Sequence, residues 1–149
     1  MKRHSTKHLL TALTVLNLAL IWGNSLMNGT DSGNLSGSVL EWLSGFLPFL
    51  GTEAGHHFLR KAAHFSEFCL LGVLVSARRI AEGGEPKLTL SGFGLAVACI
   101  DETIQIYVPG RASSLIDVWI DTAGFVTGTL LVMLVHSLIR KKNNYDHNI

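Results

Sequence analysis

The scarcity of charged residues in this chain decides its broad class. Only 15% of its 149 residues are Asp, Glu, Lys or Arg, whereas about a quarter of the residues in a typical soluble domain are charged. The default class is therefore an integral membrane protein rather than a soluble globular domain. The net charge of +1 also argues against bulk binding to nucleic acid, which favours a strongly basic surface.

The motifs that mark common enzyme chemistries are missing as well. The chain has no Walker phosphate loop, no dinucleotide-binding glycine pattern and no nucleophile elbow. Its two cysteines, Cys69 and Cys99, do not make a cysteine-rich metal motif, and thiols in apolar segments are usually packing groups. No histidine pair has metal-ligand spacing inside the apolar segments. We therefore predict no metal and no cofactor, although an oxygen-rich site for a divalent cation stays open as a variant.

Four long apolar runs are candidate membrane spans, at residues 9–27, 62–77, 88–108 and 115–139. Runs of this length and polarity are typical of transmembrane helices. We predict an all-α, polytopic membrane protein: one four-helix transmembrane bundle that forms a single domain over residues 1–149. The first span is expected to be a scaffold in which Asn17 forms an interhelical hydrogen bond.

The distribution of basic residues predicts the orientation. With the N-terminus in the cytoplasm, nine Lys and Arg residues fall inside and only three, Arg60, Lys61 and Arg111, fall outside. Cytoplasmic loops carry such an excess, so both termini are expected to be cytoplasmic. A cleaved signal peptide is the competing interpretation of the first span.

The segment between the first two spans, residues 28–58, is predicted to be the largest loop. Its first part is rich in Gly, Ser and Asn and should be irregular. In its second part the apolar residues from Val39 to Leu50 recur at helical spacing, which predicts a short interfacial helix. An ordinary loop that packs its hydrophobic residues onto the bundle is the alternative.

Polar residues inside the spans fall in the same half of the membrane. Glu67, Asp101 and Asp121 each lie seven or eight residues below the outer end of their span, or roughly 10 to 12 Å deep at the rise of an α-helix. An ionisable group in hydrocarbon costs roughly 2.5 to 3.5 kcal/mol, so such residues usually have partners or a function. The common depth predicts a single site that opens outward.

Helical spacing places these residues on shared faces. One stripe contains Arg60, His64 and Glu67, a second contains Asp101 and Gln105, and a third contains Asp117 and Asp121 followed by Gly124 and Gly128. Residues three or four apart lie on one side of a helix. The G-x-x-x-G pattern permits close helix approach, so we expect the aspartate face to be packed, and the glycines also offer a surface for oligomerisation.

The runs RKAAHFSEF and DETIQIYVPGRASSLIDVWIDTAGFVTG resemble the VanZ family of small bacterial membrane proteins. That family's pattern is R-K-x-x-H-x-x-E in one helix and D-E-x-x-Q…R…D-x-x-x-N-x-x-G across the next two. The chain departs from it at Asp121, where the pattern has Asn. The resemblance implies a bacterial inner-membrane protein with a role in the cell envelope, linked to resistance to the glycopeptide teicoplanin.

The predicted function is binding or processing of an anionic, lipid-linked or peptidoglycan-related component from the outer leaflet. Basic groups would hold a phosphate or carboxylate, and acids or His64 would move a proton. The candidate catalytic residues are His64, Glu67, Asp101 and Asp117. The candidate substrate-binding residues are Arg60, Lys61, Glu102, Gln105, Arg111 and Asp121. A small proton-coupled transporter and a non-catalytic structural bundle are the alternatives, and the sequence does not decide whether the protein is an enzyme.

Overall fold

The regular elements of the chain are helical wherever the structure describes it. The computed structural model describes residues 2–27, 52–111 and 113–146. It contains α1 (Lys2–Leu26), α2 (Glu53–Ala81), α3 (Ser91–Ile106) and α4 (Leu115–Asp146), and a short 3-10 turn, Leu88–Leu90, leads into α3. The all-α prediction is confirmed. The predicted interfacial helix of residues 39–50 lies outside the described residues.

Helix α2 begins earlier than the sequence indicated. The loop was expected to continue to Phe58, but the helix starts at Glu53. The Thr52 side chain accepts a hydrogen bond of 3.2 Å from the backbone N–H of Gly55, which satisfies one of the donors that a helix N-terminus leaves unpaired. Arg60 therefore lies about two turns inside the helix rather than at its end.

A tight turn joins α3 to α4. Gly110 has a φ of 76°, a conformation that glycine adopts without a steric penalty. Ser114 then caps α4, because its Oγ accepts a hydrogen bond of 3.1 Å from the N–H of Ile116. This connection brings the last turn of α3 and the first turn of α4 to the same place, together with the C-terminus of α1. We call this place the polar end, and the other end of the helices the opposite end.

The helices form a ring of neighbours in which α2 contacts α1 and α4, and α3 contacts the same two helices. The core between them is apolar and includes Phe68, Leu71 and Phe125, all fully buried. Many large apolar side chains of α1 and α4 are instead exposed. Such a surface is unusual for a soluble monomer and suits contact with lipid.

Close approach of α2 and α4 depends on glycine. A Cβ atom on Gly128 would lie 2.0 Å from the carbonyl oxygen of Cys69, and one on Gly124 would lie 2.4 Å from that of Phe65. The aspartate face of α4 is therefore packed within the chain. The surface that the glycines offered for oligomerisation is already occupied by α2.

Among the helices that the structure describes, two are long and apolar enough to cross a membrane by themselves, and they span His4–Leu26 and Leu115–Asn144. These correspond to the first and last predicted spans. Helix α2 is long but carries several ionisable residues, and α3 has 16 residues, which extend about 24 Å.

Candidate functional site

Helix α2 brings two kinds of polar contact to the polar end. The Lys61 ammonium forms an ion pair of 2.6 Å with Asp117 of α4. Nearly two turns deeper, the Glu67 carboxylate accepts a hydrogen bond of 2.5 Å from the side-chain amide of Asn24 in α1. Helix α2 is thus tied to both of its neighbours in the ring by charged groups.

Helix α3 contributes three buried polar residues, Asp101, Glu102 and Gln105. The Gln105 amide nitrogen lies 3.0 Å from Asp101 Oδ2 and 3.3 Å from the hydroxyl of Ser25 in α1. Glu102 Oε2 accepts a hydrogen bond of 2.7 Å from the backbone N–H of Ser114. A carboxylate is favourable there because it faces the positive end of the α4 dipole. Glu102 therefore holds the start of α4 in place.

The Arg111 side chain caps the C-terminus of α1. Its Nη2 donates a hydrogen bond of 2.6 Å to the carbonyl oxygen of Asn24, and its Nε donates one of 3.1 Å to that of Met27. A cation is stabilising beside the unpaired carbonyls at a helix C-terminus. Burial, with a further contribution from the charge of Arg60, lowers the pKa of Arg111 from its ordinary value.

The deepest part of the site holds two aspartates and a histidine. His64 Nδ1 lies 3.8 Å from Asp101 Oδ2 and 3.9 Å from Asp121 Oδ1. Both aspartate side chains have no exposed surface. Asp101 Oδ1 and both oxygens of Asp121 accept no hydrogen bond from the part of the chain that the structure describes. These three residues are also the described His, Cys, Asp or Glu side chains that lie close enough together to share a metal ion.

A small cavity opens above these groups. The volume open to the centre of a water-sized sphere is about 10 Å³, at the lower limit for one water molecule. The cavity therefore admits a water molecule or a small ion, and a larger group would have to stay at its mouth. Its lining consists of Arg60, Lys61, His64, Glu102, Gln105, Asp117, Ile120 and Asp121.

Comparison with protein families matches residues 8–136 to the VanZ/LLP1 family. The matched segment covers all four helices except the ends of α1 and α4. The chain belongs to the VanZ/LLP1 family. No curated protein and no solved structure matches the chain significantly.

Seven of the ten candidate residues of this VanZ/LLP1 chain line the cavity. Asp101 lies next to it through its contact with His64. The other two, Glu67 and Arg111, are directed to α1 instead, where both contact Asn24. The structure thus separates the residues around the cavity from a pair that attaches α1 to the rest of the bundle.

Sequence reasoning missed two residues of the polar end, Asn24 and Ser25. The first helix was expected to be a scaffold with Asn17 as its hydrogen bonder. Asn17 is buried, but its Oδ1 has no partner among the described residues. Asn24 and Ser25 instead contact Glu67 and Gln105. Their position in the last turn of the first span, level with the predicted site, is the signal that could have identified them.

Proposed function

We propose that this VanZ/LLP1 protein crosses the bacterial cytoplasmic membrane four times, with both termini inside and the polar end facing outward. We further propose that the mouth of its cavity binds the anionic headgroup of a lipid-linked or peptidoglycan-related envelope component. A link to resistance to glycopeptides such as teicoplanin would follow from binding such a component. Binding is the core of this proposal, and proton transfer by His64, Glu67, Asp101 or Asp117 stays a prediction.

The distribution of charge supports this orientation. The opposite end carries exposed Lys and Arg residues of α2, α4 and the segment before α3, whereas the polar end, in its described part, has Arg60, Lys61 and Arg111. Cytoplasmic segments are the ones enriched in Lys and Arg. The basic residues at the opposite end are Arg78, Arg79, Lys87, Arg140, Lys141 and Lys142.

The observation that carries the binding proposal is the state of Arg60. Lys61 is paired with Asp117, and Arg111 is bonded to carbonyl oxygens of α1. Arg60 lines the cavity but forms no ion pair or hydrogen bond with any residue that the structure describes. Its charge is also near enough to Arg111 to contribute to the lowered pKa of that group. A guanidinium without an acceptor among the described residues favours an anion at the mouth of the cavity, because guanidinium binds phosphate and carboxylate strongly.

The size of the cavity limits how the ligand binds. With room for about one water molecule, the cavity does not enclose a headgroup, so the phosphate or carboxylate would sit at the mouth beside Arg60. The acyl or polyprenyl chain would stay in the bilayer along the exposed apolar faces of the helices. This arrangement fits a ligand that reaches the protein sideways through the outer leaflet.

The transporter alternative has less support. Phe68 and Phe125 follow the polar residues along α2 and α4, and both are fully buried in the apolar core. Beyond them, Ser76 and Thr129 form a buried hydrogen bond of 3.3 Å, but neither is an ionisable residue of the kind that a proton-coupled conduit would need there. We therefore favour binding at one leaflet over transport.

The test is binding of anionic lipids to the purified full-length protein in nanodiscs. We expect polyprenyl phosphate to bind in preference to a zwitterionic lipid of similar chain length. Arg60→Gln should weaken this binding by about tenfold to a hundredfold, because a hydrogen bond to a charged group contributes about 1.5 to 3 kcal/mol.

Arg78→Gln is the matched control. It removes an arginine of the same helix at the opposite end, where Arg78 is paired with Glu82 at 3.1 Å. If Arg60→Gln and Arg78→Gln reduce binding equally, the effect is general charge attraction and the assigned site is wrong. Fusion of a reporter to the C-terminus checks the orientation separately, and an external C-terminus would contradict it.

A further inference from the structure

The triad of His64, Asp101 and Asp121 is assembled from three different helices. Helix α2 supplies the imidazole, α3 one carboxylate and α4 the other. One ligand-type atom from each residue lies within 4.8 Å of the other two. Because each helix supplies one residue, no local spacing in the sequence identifies the group, which is why a metal was not predicted.

Protein contacts leave this triad unsatisfied. The separations of 3.8 and 3.9 Å from His64 to the two aspartates are too long for hydrogen bonds. Gln105 reaches only one oxygen of Asp101, and the remaining three carboxylate oxygens have no partner in the described ranges. No neighbouring Lys or Arg pairs with either aspartate among the described residues: Lys61 binds Asp117, Arg111 binds backbone carbonyls, and Arg60 has no ion pair.

Two buried carboxylates without donors are costly in an apolar interior. Such groups are either neutralised by protonation or balanced by an opposite charge or a metal ion. A species that balances two charged carboxylates here would have to fit between three side chains and carry two positive charges. A lipid headgroup does neither.

We propose that His64, Asp101 and Asp121 bind a divalent transition-metal cation of the Zn²⁺ or Mn²⁺ class. Two carboxylates neutralise its charge, and one imidazole nitrogen with carboxylate oxygens is a ligand set that suits these ions. Ligand atoms around one such ion lie roughly 3 to 4 Å apart, so the triad needs to contract only slightly. Three protein ligands leave at least one position open, and the adjacent cavity has space for a water molecule there.

This inference goes beyond the proposed function, because metal binding requires no headgroup. It is therefore tested without lipid, on the full-length protein in detergent, and its failure would leave the Arg60 binding result unaffected. His4 and His8 stack one turn apart in α1, with ring centroids 5.3 Å apart, and form a second candidate for adventitious metal. All measurements are therefore made on a background that carries His4→Gln and His8→Gln.

Equilibrium dialysis against Mn²⁺ and against Zn²⁺ should give about one bound ion per chain. Asp121→Asn and His64→Gln should each weaken binding at least tenfold, since loss of one of three protein ligands removes a large part of the site. Bound Mn²⁺ should show magnetic coupling to an imidazole nitrogen in pulsed EPR, and His64→Gln should abolish it. The metal should also raise the unfolding temperature of the parent protein but not that of Asp121→Asn.

The matched controls lie at the opposite end. His136 and Glu85 are also a histidine and a carboxylate in contact, at 3.3 Å, so His136→Gln and Glu85→Gln should leave binding within about twofold of the parent. Absence of a bound divalent ion in the parent protein overturns the proposal whether or not the variants fold. The proposal is also overturned if the nitrogen coupling persists in His64→Gln. It is overturned as well if the site variants and the control variants lose metal affinity equally.

Discussion

The polar end and the opposite end use the same residue types in different ways. At the opposite end, Glu85 lies 3.3 Å from both His136 and Arg140, and its side chain is 56% exposed. At the polar end, His64 and two fully buried aspartates approach one another without forming a direct bond. The exposed carboxylate of Glu85 has two basic partners, whereas the buried aspartates keep oxygens without a hydrogen bond from the described residues.

This difference distinguishes ordinary charged residues of the protein surface from residues of a candidate functional site. Exposed ion pairs form readily and contribute little, because water screens them and each long side chain loses entropy. A buried carboxylate without a donor lowers stability, so its presence has to be explained by something other than stability. The described contacts of the polar end account for Glu67, Glu102 and Asp117, and they leave Asp101 Oδ1 and both oxygens of Asp121 without a hydrogen bond from the described residues.

The largest contrast between the two ends should appear for Glu102 and Glu85. Glu102→Ala removes the charged acceptor of the Ser114 N–H at the start of α4 and one of the contacts of the Gln105 amide. We expect a loss of about 2 to 3 kcal/mol in the free energy of unfolding. Glu85→Ala should cost less than about 1 kcal/mol, as is usual for exposed pairs.

Reversible SDS unfolding of the two variants measures this contrast. Circular dichroism of both proteins before unfolding controls for helix content. Equal losses would mean that burial does not distinguish the two ends, and would remove the basis for treating the polar end as special.

An intermediate effect is expected for the arginines. Arg111→Gln loses the charged donors to two carbonyl oxygens at the end of α1, and should lower the unfolding free energy by about 1 to 2 kcal/mol. Arg111→Lys should restore only part of it, since an ammonium group lacks the fixed fork of a guanidinium.

Arg140→Gln at the opposite end is the control. Arg140 is 68% exposed and contacts Glu85 at 3.3 Å, so thermal unfolding should change little. A full rescue by Arg111→Lys, or an Arg140 effect of the same size, would show that the two carbonyl contacts are not what attaches α1.

The sequence was sufficient for those features that depend on periodicity. Spacing of three and four residues placed Arg60 and His64 on one face of α2, and the structure has both residues at the cavity. The glycines Gly124 and Gly128 indicated a packed face of α4, and their missing side chains do admit the backbone of α2. Each of these inferences needs only the geometry of a single helix.

The sequence was insufficient where the partner is backbone or lies on another helix. Arg111 was expected to face a ligand, and the structure shows it bound to backbone carbonyl oxygens. Every residue has a carbonyl oxygen, so the sequence does not indicate which of them an arginine will contact. Likewise, the start of α2 at Glu53 depends on the cap by Thr52, which is inconspicuous in a segment rich in Gly and His. The grouping of His64, Asp101 and Asp121 was not predicted as a metal site because the three residues come from three different helices.

The smallest expected difference between the two ends is in the coupling energy of two ion pairs that involve α2. Lys61 and Asp117 are 37% and 19% exposed, whereas Arg78 and Glu82 are 44% and 38% exposed. In double-mutant cycles of charge-neutralising substitutions, we expect a coupling of about 0.5 to 1 kcal/mol for the first pair and about 0.3 to 0.5 for the second. Raising the salt concentration should reduce the second coupling more, because screening acts most on exposed charges. A larger coupling for Arg78 and Glu82 would contradict the argument, since the less exposed pair would then contribute the weaker interaction.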